Sequence, residues 1–323
     1  MKFRTLAAIA AAAVIGMGTA TAQDKTGWPN ELTIGTASQG GTYFVYGNGF
    51  ASYISEALGL NATGEVTGGP VQNVTLVETG DHLMGLVTMG PAYDAWIGQS
   101  ELAPGLEHKS IRALFPMYQT PFQVIALKSS GIKSVSDLAG KRVGVGPAGG
   151  TPGTYWPRFM EAVGVTANIS NAGASDAASQ LKDGLIDAFA FAAGVPISAF
   201  SQLAAENDVV MFGLTEDEKA KVLAAYPAMA PLTIASGTYA GHDYDQETVA
   251  LWNFAIAHQD MPESLAYEIT KLAMENPQRM VQIHAAASET LLENWDKNTF
   301  MPFHPGAVRY LEEKGITVPD ELK

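Results

Sequence analysis

Apolar and polar positions fall into short blocks with two different periods. Residues 31–36 place apolar side chains on alternate positions and predict a strand, Gly40-Gly41-Thr42 follows, and a helical period runs over 43–58. The order repeats. Thr67-Gly68-Gly69-Pro70 opens a helix pattern through 78, and 83–88 reads as a buried strand ending at Met89-Gly90-Pro91. A third copy has a strand over 141–146, a turn through Gly149-Gly150-Thr151 and a helix near 155–163. Strands alternating with helices predict α/β layers with mostly parallel sheets.

Two extended stretches interrupt this rhythm. One spans 113–127 and contains Pro116 and Pro121; the other spans 230–239 and contains Pro231 and Gly237. Read as crossings between two domains, they divide the chain into a discontinuous lobe I, residues 23–118 plus 237–323, and a lobe II, residues 119–236. The hinge positions are then expected near 117–122 and 231–237. The region 246–287 is expected to be rich in helix, with a break at Asn276-Pro277.

Composition narrows the function. The 323 residues carry a net charge of −14 and no cysteine. An acidic chain without a Lys/Arg run repels phosphate backbones, so nucleic acid is not the expected partner. Without cysteine there is no disulfide, thiolate metal site or thiol catalysis. The first 22 residues read as a cleavable secretory signal: Lys2 and Arg4 precede an apolar run over 6–17, and Ala20-Thr21-Ala22 precedes Gln23. That run falls short of the ~20 residues needed to span a bilayer. An exported, periplasmic protein of a Gram-negative bacterium is expected.

Enzyme signatures are missing. There is no G-x-S-x-G elbow, no H-E-x-x-H and no P-loop, and the six histidines are scattered. Gly144 to Gly149 matches G-x-G-x-x-G, but the acidic residue expected about 20 positions on is absent, so no dinucleotide cofactor is expected. His242-Asp243-Tyr244-Asp245 lacks the remaining positions of a calcium loop. No catalytic residue, metal site or cofactor is assigned.

The glycine turns are what remain. A helix start preceded by glycine offers unpaired backbone N–H groups and partial positive charge to an anion without any arginine. Three turns qualify: Gly40-Gly41-Thr42-Tyr43, Thr67-Gly68-Gly69-Pro70 with Asn73, and Gly149-Gly150-Thr151. In open α/β sheets such loops lie at the carboxyl ends of the strands, where ligands collect. Tyr43, directly after its turn, is the aromatic residue expected to touch ligand.

The order of these motifs resembles the TAXI-type solute receptors of tripartite ATP-independent periplasmic (TRAP) transporters. The likeness runs from about Leu32 to Gly315. It includes Ile34-Gly35-Thr36, Gly41-Thr42-Tyr43-Phe44 with Gly47, Thr67-Gly68-Gly69 with Val71 and Asn73, and Gly80-Asp81. Further on come Ser130 to Val135 with Asp137-Leu138, Gly140 to Val143, Asp183-Gly184 with Ile186 to Ala188, and Pro302 to Ala307 with Arg309-Tyr310. The resemblance implies an α/β, two-lobed periplasmic binding protein (type II-like), with two α/β domains joined by crossover strands and a monomer as the expected state. It implies no enzymatic activity, and capture of a small organic anion, a carboxylate such as a glutamate-like or dicarboxylic acid, for an ion-gradient-driven membrane permease. By family position Gly41, Thr42, Tyr43, Gly68, Gly69, Asn73, Met89, Gly149, Gly150 and Thr151 are the implied cleft residues. Thr120 stands where the family often has an acidic residue, which favours a simple carboxylate over an α-amino acid. His304-Pro305-Gly306 is read as structural. A receptor for an ABC importer or a sensor kinase shares the architecture, and a periplasmic hydrolase is the reading from another class.

Overall fold

The computed structural model describes residues 24–323, so the expected signal segment lies outside the described residues. The first run of elements is β1 (Glu31–Gly35), α1 (Thr42–Leu58), β2 (Asn61–Glu65), α2 (Pro70–Glu78), β3 (Met84–Thr88), α3 (Met89–Trp96) and the long β4 (Ile111–Leu127). The second is β5 (Arg142–Gly144), α4 (Thr151–Ala162), β6 (Asn168–Ser170), α5 (Ala174–Lys182), β7 (Ala188–Ala192), α6 (Ser198–Glu206), β8 (Val209–Phe212), α7 (Glu216–Ala225) and β9 (Ala230–Ile234). β10 (Gln246–His258), α8 (Glu263–Glu275), α9 (Pro277–Ile283) and α10 (Pro305–Glu313) follow.

The strands lie in the order β2-β1-β3-β10-β4-β7-β5-β6. β1 pairs in parallel with β2 and β3, and β5 in parallel with β6 and β7. The two parallel groups are joined by β4 and β10. The first half of β4 pairs antiparallel with β10, and its second half with β7 and β8. β10 in turn pairs with β9 through Gln246–Ala250 and with β3 through Asn253–Ala257. Each half of the sheet therefore belongs to its own α/β lobe, and two strands run through both. The register of the β4–β10 pair shifts between Trp252 and Phe254, a bulge in the connecting ribbon.

Burial follows the sequence period. Along α1, Tyr43, Tyr46, Phe50, Ile54 and Leu58 are buried at spacings of three and four, one face of a 3.6-residue helix. Gly59, at φ 70°, ends the helix, with its N–H donating to the Ser55 carbonyl. Tyr46 and Phe50 join Leu114, Phe115 and Tyr118 of β4 on one side of the lobe I sheet; Val74, Val87, Phe254 and Phe303 fill the other. In lobe II, Phe122, Trp156 and Phe159 lie on one side, and Phe189, Phe200 and Met211 on the other.

Two expectations are corrected. Residues 246–258, expected as the start of a helix-rich region, form β10, a strand of 13 residues. The extended stretch at 230–239 contains only the short β9, an outer neighbour of β10; the second connection beside β4 is β10 itself. Trp252 opposite Gln119 and Ala250 opposite Pro121 mark the middle of the ribbon.

Candidate functional site

The three glycine turns converge. Gly41, Gly69 and Gly150 are the N-cap residues of α1, α2 and α4, none of these helices has a side-chain cap, and all three glycines line one cavity between the lobes. The cavity encloses about 390 Å³ of empty space, part of it open to solvent. Its wall comes from the segments that follow the carboxyl ends of β1, β2, β3, β5 and β7, together with Thr120 of β4. No charged side chain lines it.

The three helix starts do not offer the same chemistry. In α2, Pro70 has no N–H and the Val71 N–H donates to the Gly149 carbonyl at 3.0 Å. The Gly68 N–H goes to Gln72 Oε1 and the Gly69 N–H to Thr67 Oγ1. In α1, the N–H groups of Thr42, Tyr43 and Phe44 have no hydrogen-bond partner among the described residues, and in α4 the same holds for Thr151 and Gly153. The donors left for a ligand therefore sit on α1 and α4, and α2 adds the field of its dipole.

The lobes are closed on each other. Val71 donates to Gly149, Ala199 N–H to the Gly40 carbonyl, Ser175 N–H to the Gln39 carbonyl, Ala174 N–H to Ser38 Oγ, and Thr42 Oγ1 to the Gly194 carbonyl. At one point the lobes meet backbone on backbone. Gly69 has φ +110°, and a Cβ there would fall 2.9 Å from the Gly150 Cα, so glycine is required on both counts. At the rim, Arg158 of α4 reaches Glu101 at 2.9 Å and Asp94 at 3.6 Å.

The cavity floor is a buried polar network. Asn253 Nδ2 donates to the Tyr118 carbonyl at 2.6 Å and to Thr120 Oγ1 at 2.8 Å. Asn253 Oδ1 accepts from the Tyr43 hydroxyl at 2.6 Å and from Thr88 Oγ1 at 2.9 Å, and Thr88 Oγ1 is 2.7 Å from Thr151 Oγ1. Burial holds the Tyr43 phenol far above its ordinary range, so it keeps its proton. The Thr88–Thr151 contact crosses from lobe I to lobe II, so the network is complete only when the cleft is shut.

The structure thus brings Gly41, Thr42, Tyr43, Gly68, Gly69, Gly150 and Thr151 together on one wall. Three implied residues lie elsewhere. Asn73 is fully buried behind that wall, its Nδ2 donating to the Gly35, Thr36 and Leu86 carbonyls and its Oδ1 accepting from Thr67 Oγ1. These bonds join the β1, β3 and α2 ends, so Asn73 positions the turn. Gly149 stands behind Gly68 and gives its carbonyl to Val71. Met89 starts α3 and borders a different and larger interlobe cleft, about 1450 Å³ of empty space, again partly open to solvent, with Tyr93, Asp94, Arg158 and Trp252. Sequence reasoning missed Thr88, Ser38 and Asn253. Thr88, a hydroxyl ending an otherwise apolar strand, was a readable signal; Asn253 was hidden in a stretch read as helix.

Residues 34–315 match the family model described as the NMT1-like family. The chain belongs to the NMT1-like family. Solved structures similar to this NMT1-like chain include one described as a periplasmic transporter, with a TM-score of 0.55, 13% identity, and coverage of 88% of this chain and 93% of that one. MatC from Rhodopseudomonas palustris with bound malate has a TM-score of 0.53 and 15% identity, covering 79% and 85%. An ancestral arginine-binding protein bound to arginine has a TM-score of 0.51 and 15% identity, covering 80% and 98%. At these identities the likeness shows the fold alone: a two-lobed binding-protein architecture. Among the described residues no helix is long and apolar enough to cross a membrane.

Proposed function

We propose that this NMT1-like chain is an exported, periplasmic solute receptor that captures a small organic anion between its lobes and hands it to a membrane permease, without catalysis. The carrying observation is the uncharged cavity at three uncapped helix starts. A helix start with free N–H groups carries roughly +0.5 elementary charge, and α1 and α4 turn two such starts toward a single carboxylate in this partly open space. A cation such as a guanidinium would meet no carboxylate there. The motif order supports a TAXI-type receptor of a TRAP transporter, with an ion-gradient-driven permease as the partner, and a monomer suits a receptor that binds one solute per closure.

The mechanism is population shift. The open form exposes the cleft, the ligand bridges α1 and α4, and the closed form gains the Val71–Gly149 and Thr88–Thr151 bonds. The hinge we place at Gln119–Pro121 and Ala250–Asn253, where the two ribbon strands pass between the lobes. A thermal-shift screen over C3–C6 mono- and dicarboxylates, glutamate and arginine, followed by calorimetry, tests the reading. At least one carboxylate is expected to raise the melting temperature; stabilisation by arginine alone would overturn it.

A further inference from the structure

The cavity has two unlike sides. Ser38, Thr42, Tyr43 and Thr88 bring hydroxyls from lobe I, whereas lobe II, apart from Gly150 and Thr151, lines the space with Pro147, Pro152, Phe191, Ala192 and Ala193. Phe191 is held in place. A Cβ added at Gly41, the N-cap of α1, would lie 3.6 Å from its ring, and one added at Gly146 would lie 2.8 Å both from the ring and from Pro152 Cγ. The Phe189 ring packs against it at 5.2 Å between centroids, and the Phe191 carbonyl accepts from Trp156 Nε1 at 2.9 Å. A fixed apolar surface thus stands beside the α1 helix start.

The polar end of a bound acid is placed by the free amides of α1 and α4. Ser38 adds to them: its buried Oγ accepts the Ala174 N–H at 3.2 Å and has no acceptor for its own proton among the described residues. The rest of the acid meets the lobe II wall. An aliphatic chain gains there by leaving water, about threefold to fourfold in affinity per methylene. A second carboxylate would give up its hydration against prolines and a phenyl ring, with no Lys or Arg on the wall and the first negative charge in the same cavity. An ammonium group would find no carboxylate on the wall.

We propose that the ligand is a short aliphatic monocarboxylate whose chain lies against Phe191 and Pro152, and that the cavity rejects the dicarboxylate and the ω-amino acid of the same length. This rests on the carboxylate reading above and adds what the remainder of the molecule must be.

Calorimetry on the unaltered protein tests the idea with butyrate against succinate and 4-aminobutyrate, pentanoate against glutarate, and a series from acetate to hexanoate. Butyrate and pentanoate are expected to bind at least tenfold more tightly than their charged counterparts, and affinity is expected to climb along the series before it levels off at the end of the wall. Phe191→Leu, which shrinks the wall and keeps it apolar, is expected to weaken binding by a factor that grows with chain length from propionate to pentanoate; the same loss for every acid would mean that Phe191 acts only through the fold and would overturn its contact with the chain. Equal or tighter binding of succinate or glutarate, or a series that does not rise, overturns the monocarboxylate assignment and leaves the carboxylate reading intact, and both results are read without any variant. If no acid in the panel binds, the carboxylate reading fails and this inference fails with it.

Discussion

Asn73 and His304 are buried polar residues with separate duties, one behind the cavity and the other at the start of α10. Asn73 closes three backbone carbonyls and a hydroxyl at the back of the cavity. Asn73→Ala removes the amide donor to the Gly35 and Leu86 carbonyls, while Thr36 keeps its bond from Thr67 Oγ1, at a cost of about 1–3 kcal/mol. Urea denaturation is expected to show that loss of stability in the absence of any ligand. A loss of affinity with stability unchanged would instead put Asn73 in contact with the solute. His304 is buried and caps α10, its Nδ1 accepting from the Gly306 N–H, so the folded state needs that nitrogen unprotonated. Burial pushes His304 down to about 4, against a smaller opposite pull from the backbone of Met261 and Gln259. Because the folded value is depressed, the unfolded chain takes the proton first. Stability is expected to fall as pH drops from about 6.5 toward 4, by up to ~1.4 kcal/mol per pH unit. His304→Asn, whose side-chain oxygen can keep the cap, should flatten that slope; an unchanged slope would assign the acid sensitivity to another group.

At the scale of elements, the strand–glycine–helix units were legible because both signals are local. Glycine marks the turn, and the apolar period changes from two to nearly four across it, as at Ile34, Gly41 and the Tyr46–Phe50–Ile54 face. β10 was not legible. It is buried on both faces, so it lacks strand alternation, and its apolar residues at 249, 250, 254 and 257 imitate a helical period. Asn253 was lost with it, and so was the position of the second connecting strand. Convergence of the three turns depends on the β4–β10 ribbon and could not be read from any one segment. Met89 shows the limit of transfer by position: one residue past Thr88, it already faces a different cleft. The contact between turns gives a sharp test. Gly69→Ala meets a positive φ and a 2.9 Å approach to Gly150 that exists only between closed lobes. Strain of ~1–3 kcal/mol is expected, with the steric part confined to closure. Ligand affinity measured by calorimetry should drop at least tenfold; an affinity within twofold of the unaltered protein would mean that Gly69 and Gly150 do not meet on binding.

Across the whole molecule, closure is set by few polar contacts. Arg158 of lobe II reaches Glu101 and Asp94 of lobe I at the rim. Burial raises Asp94 above the ordinary carboxylate range, the guanidinium acting against that shift. Such a half-exposed pair contributes roughly 0.5 kcal/mol. Arg158→Gln is expected to weaken ligand binding about two- to threefold and to reduce the dependence of affinity on salt, read by titrations at low and high ionic strength; an unchanged salt dependence would remove Arg158 from the latch. The central claim is that an uncharged cleft holds an acid by backbone N–H groups of two facing helix starts. A crystal structure with the tightest-binding acid from the screen tests this most directly. The expected result is a carboxylate within hydrogen-bond distance of the Thr42–Phe44 amides on one side and the Thr151 or Gly153 amide on the other, between closed lobes. A carboxylate bound instead to Arg158 or Lys297 in the neighbouring cleft, with this cavity holding only water, would contradict it.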